Sequence, residues 1–153
     1  MGYIDKTLTE GETIISSSIF HWWFLARYPI YCLLVVIFGY YITSISDDGG
    51  DFYGYALIIF SPIITLLFLL FAWIAKKTTE QVLTNKRVFL KTGLIRRDTD
   101  ELKKEKVETI SIKQSIVGRI LNFGDVEFTG TGGINIKFTY VKDPTYVKRQ
   151  YEQ

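Results

Sequence analysis

Few residues in this chain have side chains that could do chemistry. Gly130-Thr131-Gly132-Gly133 is the only glycine cluster after residue 78. A phosphate-cradling loop ends in Gly-Lys-Ser/Thr and opens a helix. This one lies between two strand-like runs, so it reads as a hairpin loop, with a backbone phosphate site as the lesser alternative. Asp98, Asp100 and Glu101 alternate with Arg96, Arg97, Lys103 and Lys104. That mixture describes a solvated face, whereas paired acids for hydrolysis need burial. His21 is the only imidazole and Cys32 the only thiol. They supply neither a nucleophile–imidazole–acid set nor a multi-ligand metal site, and a lone cysteine forms no intrachain disulfide. No catalytic residue, metal or cofactor is therefore expected.

The remaining candidates are bases. Lys76, Lys77, Lys86, Arg87, Lys91, Arg96 and Arg97 precede Asp98 with Glu80 as the only acid among them. Such a cluster could contact anionic lipid headgroups, each base contributing roughly 1 kcal/mol within a Debye length of about 8 Å. It could equally reflect membrane topology and solubility alone. Nucleic acid is not expected, since Phe89 is the only aromatic residue among these bases and base stacking needs more.

Two long apolar runs must position these groups. No charged residue occurs from Tyr28 to Ser46 or from Phe52 to Ala75, stretches of 19 and 24 residues. As helices they reach about 28 and 36 Å, against a hydrocarbon core of about 30 Å. Both suit transmembrane helices, expected over 24–46 and 52–75. The 76 residues that follow are too few to bury two such helices in a soluble core. The connection 47–51 (Asp47-Asp48-Gly49-Gly50-Asp51) is short, turn-forming and acidic, so the spans form a hairpin.

Lys6 and Arg27 precede the first span, Lys76 and Lys77 follow the second, and the loop has no base. The positive-inside rule then places both termini in the cytoplasm and the loop outside, in the cytoplasmic (inner) membrane. His21, Trp22 and Trp23 before the first span and Trp73 near the end of the second are expected as interfacial anchors. Pro29 is expected in the first turn of its helix and Pro62 at a mid-span kink. Neither span carries an ionisable residue that would mark an ion path, so they read as anchor and assembly surface.

After Thr78 the apolar period becomes two. Strands are expected over 79–83 and 86–92 around a Thr84-Asn85 turn, then over 94–102 and 107–113, the last with a bulge. Ser115 is expected to cap a short helix through Asn122 whose apolar side holds Ile116, Ile120 and Leu121. A hairpin of 123–129 and 134–140 follows, with Ile134, Ile136, Phe138 and Tyr140 on its core face. Asp143-Pro144 opens a terminal helix. The fold class is thus a two-helix transmembrane hairpin plus a small β-rich (α+β) domain over 78–153, after an N-terminal interfacial segment over 1–23. A core of that size is marginal, which favours self-association or membrane contact.

Leu83-Thr84-Asn85-Lys86-Arg87-Val88 with Thr92-Gly93-Leu94, the run from Ser111 to Val126, and Asp143-Pro144 resemble the membrane-anchored bacterial pleckstrin-homology-like domains. The leader Glu10-Gly11-Glu12 and His21-Trp22 are similar to that family's N-terminal pattern. The resemblance covers nearly the whole chain, implies a curled antiparallel sheet closed by a C-terminal helix, and carries over no catalytic residue. The function expected is a non-enzymatic scaffold binding protein, further copies of itself or another membrane protein, with membrane lipid around the spans. The alternatives are anionic-headgroup binding and, on Pro62 and the possibility of oligomers, a channel or transport subunit.

Overall fold

The computed structural model describes residues 4, 7–18, 20–45, 50–93 and 97–152, the side chains of 50 and 51 excepted. It divides into a helical unit, Trp22–Ile74, and a β unit made of Met1–His21 and Ala75–Gln153.

The helical unit holds α1 (Trp23–Ile45) and α2 (Gly50–Thr78), long because their apolar runs contain no stop signal. α1 starts several residues before Tyr28, so Pro29 lies past the first turn and deprives the Leu25 carbonyl of its helical partner. α2 begins at Gly50, inside the expected loop, and ends on Lys76 and Lys77, whose charge suits the carbonyl end of the helix dipole. Residues 47–49 of that loop, and residue 46 before it, lie outside the described residues. Gly39 and Gly54 let the two backbones approach. A Cβ on Gly54 would lie 2.7 Å from the Gly39 carbonyl oxygen and collide with Thr43, and one on Gly39 would lie 3.0 Å from the Gly54 oxygen. The closest approach of the two helices is thus made by a glycine from each, where any side chain would force them apart.

In the β unit, β1 (Ile14–Ser17), β2 (Glu80–Thr84), β3 (Arg87–Thr92) and β4 (Asp98–Lys103) form one antiparallel sheet in that order. β5 (Val107–Lys113), β6 (Phe123–Gly130) and β7 (Asn135–Lys142) form a second. β5 carries its register shift between Val107 and Thr109. α3 (Ile116–Ile120) precedes β6, and α4 (Pro144–Glu152) follows β7. Leu83, Val88, Leu102, Val126, Phe128, Ile136, Phe138, Val141 and Val147 make one core shared by both sheets and α4.

The first sheet is covered on its other face too, by Ile4 and Leu8 over Val82 and Phe89. That second cover explains why β2 is buried almost continuously instead of alternating. The N-terminal residues, expected as an interfacial lead-in, thus supply both an edge strand and a lid. In β7 the expected alternation breaks at Tyr140, whose φ of 51° is left-handed. Val141 turns inward in its place, Tyr140 is only half-buried, and Ile134, outside the strand, is exposed.

Candidate interaction site

β2 and β3 are joined at Thr84-Asn85-Lys86, which brings Thr84 and Arg87 side by side. The Thr84 hydroxyl accepts from the Arg87 N–H at 2.9 Å and donates to Glu12 Oε1 at 2.8 Å. Arg87 grips the same carboxylate with two nitrogens, Nε to Oε1 at 2.8 Å and Nη2 to Oε2 at 3.1 Å. It also donates to the Thr7 carbonyl at 2.7 Å and to Glu101 Oε2 at 2.6 Å. The Thr9 N–H and hydroxyl complete the shell of Glu12, each at 3.0 Å. Burial alone would raise the Glu12 carboxyl. The hydrogen bonds from Thr9, Arg87 and Thr84 outweigh it and bring the group down to about 2. The Arg87 guanidinium is likewise disfavoured by burial but raised by Glu12 and Glu101. Asn85 adds a further clasp, accepting from the Thr13 N–H and donating to the Gly11 carbonyl.

Beside this clamp runs an open groove of about 900 Å³. Ile134 and Tyr151 supply its apolar surface over the buried Leu102, and Lys86, Arg87, Lys103, Lys104 and Lys106 its cations, with Glu101 and Glu105 among them. Tyr151 from α4 donates its hydroxyl to the Lys104 carbonyl at 2.8 Å, and the Lys104 ammonium lies 5.0 Å from the Tyr151 ring centre. Burial raises the Tyr151 hydroxyl above its usual range. The carboxylate at the inner edge, Glu12, is saturated by donors and so unsuited to proton transfer. Such a surface can hold an acidic, partly apolar segment by charge and contact.

The bases singled out in the sequence fall in different places. Lys86 and Arg87 border the groove, and Lys86 donates to the Glu10 carbonyl at 2.6 Å. Lys91 pairs with Glu80 at 3.2 Å, across β2 and β3. Lys76 and Lys77 sit in the last turn of α2, Arg97 just ahead of β4 and exposed, and Arg96 outside the described residues. Trp22 and Trp23 stand edge to face where α1 begins, and Trp73 is exposed on α2.

His21 belongs to the β unit, where it is buried, stacked on Phe123 at 4.9 Å between ring centres, and donates its backbone N–H to the Tyr140 carbonyl. Burial, then the charge of Lys142, holds its imidazole below the ordinary value. Among the described residues no group of three or more His, Cys, Asp or Glu is placed to hold a metal.

Sequence reasoning missed Glu12 as the centre of the clamp. Its available signal was the spacing Thr9-x-x-Glu12, a capping-box pattern that here folds the leader on itself. Tyr151 and Lys106 carried no comparable signal.

A family model described as Bacterial PH domain matches residues 24–153. No curated protein matches the chain, and no solved structure does.

Proposed function

Because the chain belongs to the bacterial PH domain family, we propose that it is a non-enzymatic binding module held at the cytoplasmic membrane by α1 and α2. The observation that carries the binding role is the groove, which offers charge and apolar contact beside a carboxylate already neutralised by Arg87. Its partner is protein, and further copies of this chain are the first candidate. Native mass of the full chain in mild detergent tests this. Oligomers that Lys103→Glu with Lys106→Glu disperse are expected, and a strictly monomeric particle at all concentrations refutes self-association.

The anchoring role is supported by surface. Only 6% of the most apolar window of each helix is buried, the opposite of a soluble core helix. β1 lies before α1 and pairs with β2, which follows α2. If α1 crosses the membrane, α2 must therefore cross back. The bases flanking the helices and the acids of 47–51 orient the hairpin with both termini inside. In a Cys32→Ser background, Gly49→Cys should react with an impermeant maleimide on intact cells, and Thr131→Cys only after lysis. The reverse pattern overturns the orientation.

A second reading, headgroup contact by the basic residues, is favoured by the position of Lys76 and Lys77 at the end of α2. Lys86 and Arg97 would extend that contact, as would Arg96 from sequence, while Arg87 and Lys91 already hold carboxylates. If hydrogen exchange on β2 and β3 is equal in neutral and anionic bilayers, this reading fails.

A further inference from the structure

α3 is inside out. In a helix of sequence Ile-Val-Gly-Arg-Ile the isoleucines, four apart, share one face and should turn to the core. Instead Gly118 is the buried residue, while Ile116 is 80% exposed, Ile120 76% and Val117 40%. The cause is steric. α3 lies so close to the start of β6 that a Cβ on Gly118 would stand 2.6 Å from the Phe123 carbonyl oxygen. Ser115 caps the helix through the Gly118 N–H, and Gln114 holds the same Phe123 oxygen at 3.0 Å. Only glycine fits the inward position, so the branched residues are held outward.

Three adjoining exposed aliphatic residues differ from singly scattered ones and mark a contact surface. Its place identifies what it contacts. Phe123, on which α3 rests, stacks on His21, and His21 and Phe20 are bonded to β7 at Tyr140 and Val141. His21 is the last residue of the β unit before the chain runs into α1. α3 therefore occupies the part of the β unit from which the chain departs for its first apolar helix. Arg119, within α3, and Lys142, paired with Phe123 across β6 and β7, place cations nearby.

We infer that α3 is a wedge that sinks Ile116, Val117 and Ile120 into the interfacial zone of the bilayer, with Arg119 and Lys142 at the phosphates. The inference rests on the reading that α1 and α2 span that bilayer. Aliphatic side chains with adjacent bases are the composition that interfacial helices use. The patch is too small for a protein partner alone, since stable interfaces take roughly 800 Å² from each side. A bilayer needs no such area here, because the tether makes insertion intramolecular.

The test uses the full chain with Cys32→Ser in nanodiscs containing anionic lipid. Ile116→Cys, at a site too exposed to matter for folding, carries a nitrobenzoxadiazole label. Thr131→Cys and Leu67→Cys serve as references for water and for the span. At Ile116 a blue-shifted emission, iodide quenching several-fold weaker than at Thr131, and quenching by lipids bearing a nitroxide near the headgroup are expected. Iodide quenching equal to that at Thr131, with Leu67 still protected, overturns the wedge and leaves the span intact. Iodide access at Leu67 overturns the span and the wedge with it. A blue shift that lipid nitroxides leave unquenched means contact with a second copy, and also overturns the wedge.

Discussion

Converting Glu12 to glutamine tests the clamp most directly. The carboxyl falls from an ordinary 4.5 to about 2 in the folded chain. At 1.36 kcal/mol per pH unit that shift corresponds to about 3 kcal/mol. The pair is enclosed, with the Glu12 side chain 1% exposed and that of Arg87 15%, so solvent screens little of it. Arg87 keeps Glu101 after the substitution, which softens the loss. We expect β1 and its partners in β2 to lose 2–3 kcal/mol, about 30–150-fold in protection of their amides. Hydrogen exchange of the full chain, corrected for intrinsic rate, reads this at Ile14–Ser17 and at Val82–Thr84. The sign with pH is also set. The folded value lies below the unfolded one, so the unfolded chain binds more protons between them. Wild-type protection is then complete above about pH 5 and falls as pH drops toward 2, while the Glu12→Gln variant lacks that part of the slope. Protection within threefold of wild type, or an unchanged slope, refutes the reasoning.

Other substitutions read other contacts. Gly118→Ala should cost about 1–3 kcal/mol despite alanine's better helix propensity, because the Phe123 carbonyl cannot move aside; faster exchange over 115–123 reports it. Gly54→Leu should spread α1 from α2. Cys32 Sγ lies 4.0 Å from Ser61 Oγ, so Ser61→Cys should cross-link with Cys32 under mild oxidation and fail to do so in the double variant. Tyr151→Phe removes only the bond to the Lys104 carbonyl and should cost about 0.5–1.5 kcal/mol in urea unfolding, with the ring still packed on Phe128.

What could be read from the sequence was what depends on neighbours in sequence. The apolar runs gave the long helices, and the Ser115 cap bonds Gly118 where spacing placed it. Asp143 accepts from the Tyr146 N–H at the head of α4. The β5 bulge follows the same rule, since Val107, Ile110 and Ile112 slip visibly out of period. β1 was not legible. Ile14–Ser17 is only four residues with no alternation, and it is a strand because β2 offers it an edge. The Arg87 partner of Glu12 stands 75 residues away, beyond any local pattern. α3 misled for a different reason: hydrophobicity points its isoleucines inward, and one missing Cβ decides otherwise. The tail of β7 turned on a single left-handed residue, Tyr140, which alternation alone does not announce.

The β unit is sewn from both ends of the chain, and that orders its birth. Glu12 is 72 residues ahead of Thr84. At roughly 5–20 residues per second a ribosome needs about 4–14 s to cover that distance. Throughout that interval Ile14–Ser17 has no edge to join, and both apolar helices are made first. On the proposed topology the leader waits while the anchor is laid down, and it locks only when the β2–β3 hairpin emerges on the leader's side of the membrane. On that topology, a chain whose second helix failed to return would leave its two halves on opposite faces, the clamp unclosed. Closure of Glu12 on Arg87 would then report correct insertion.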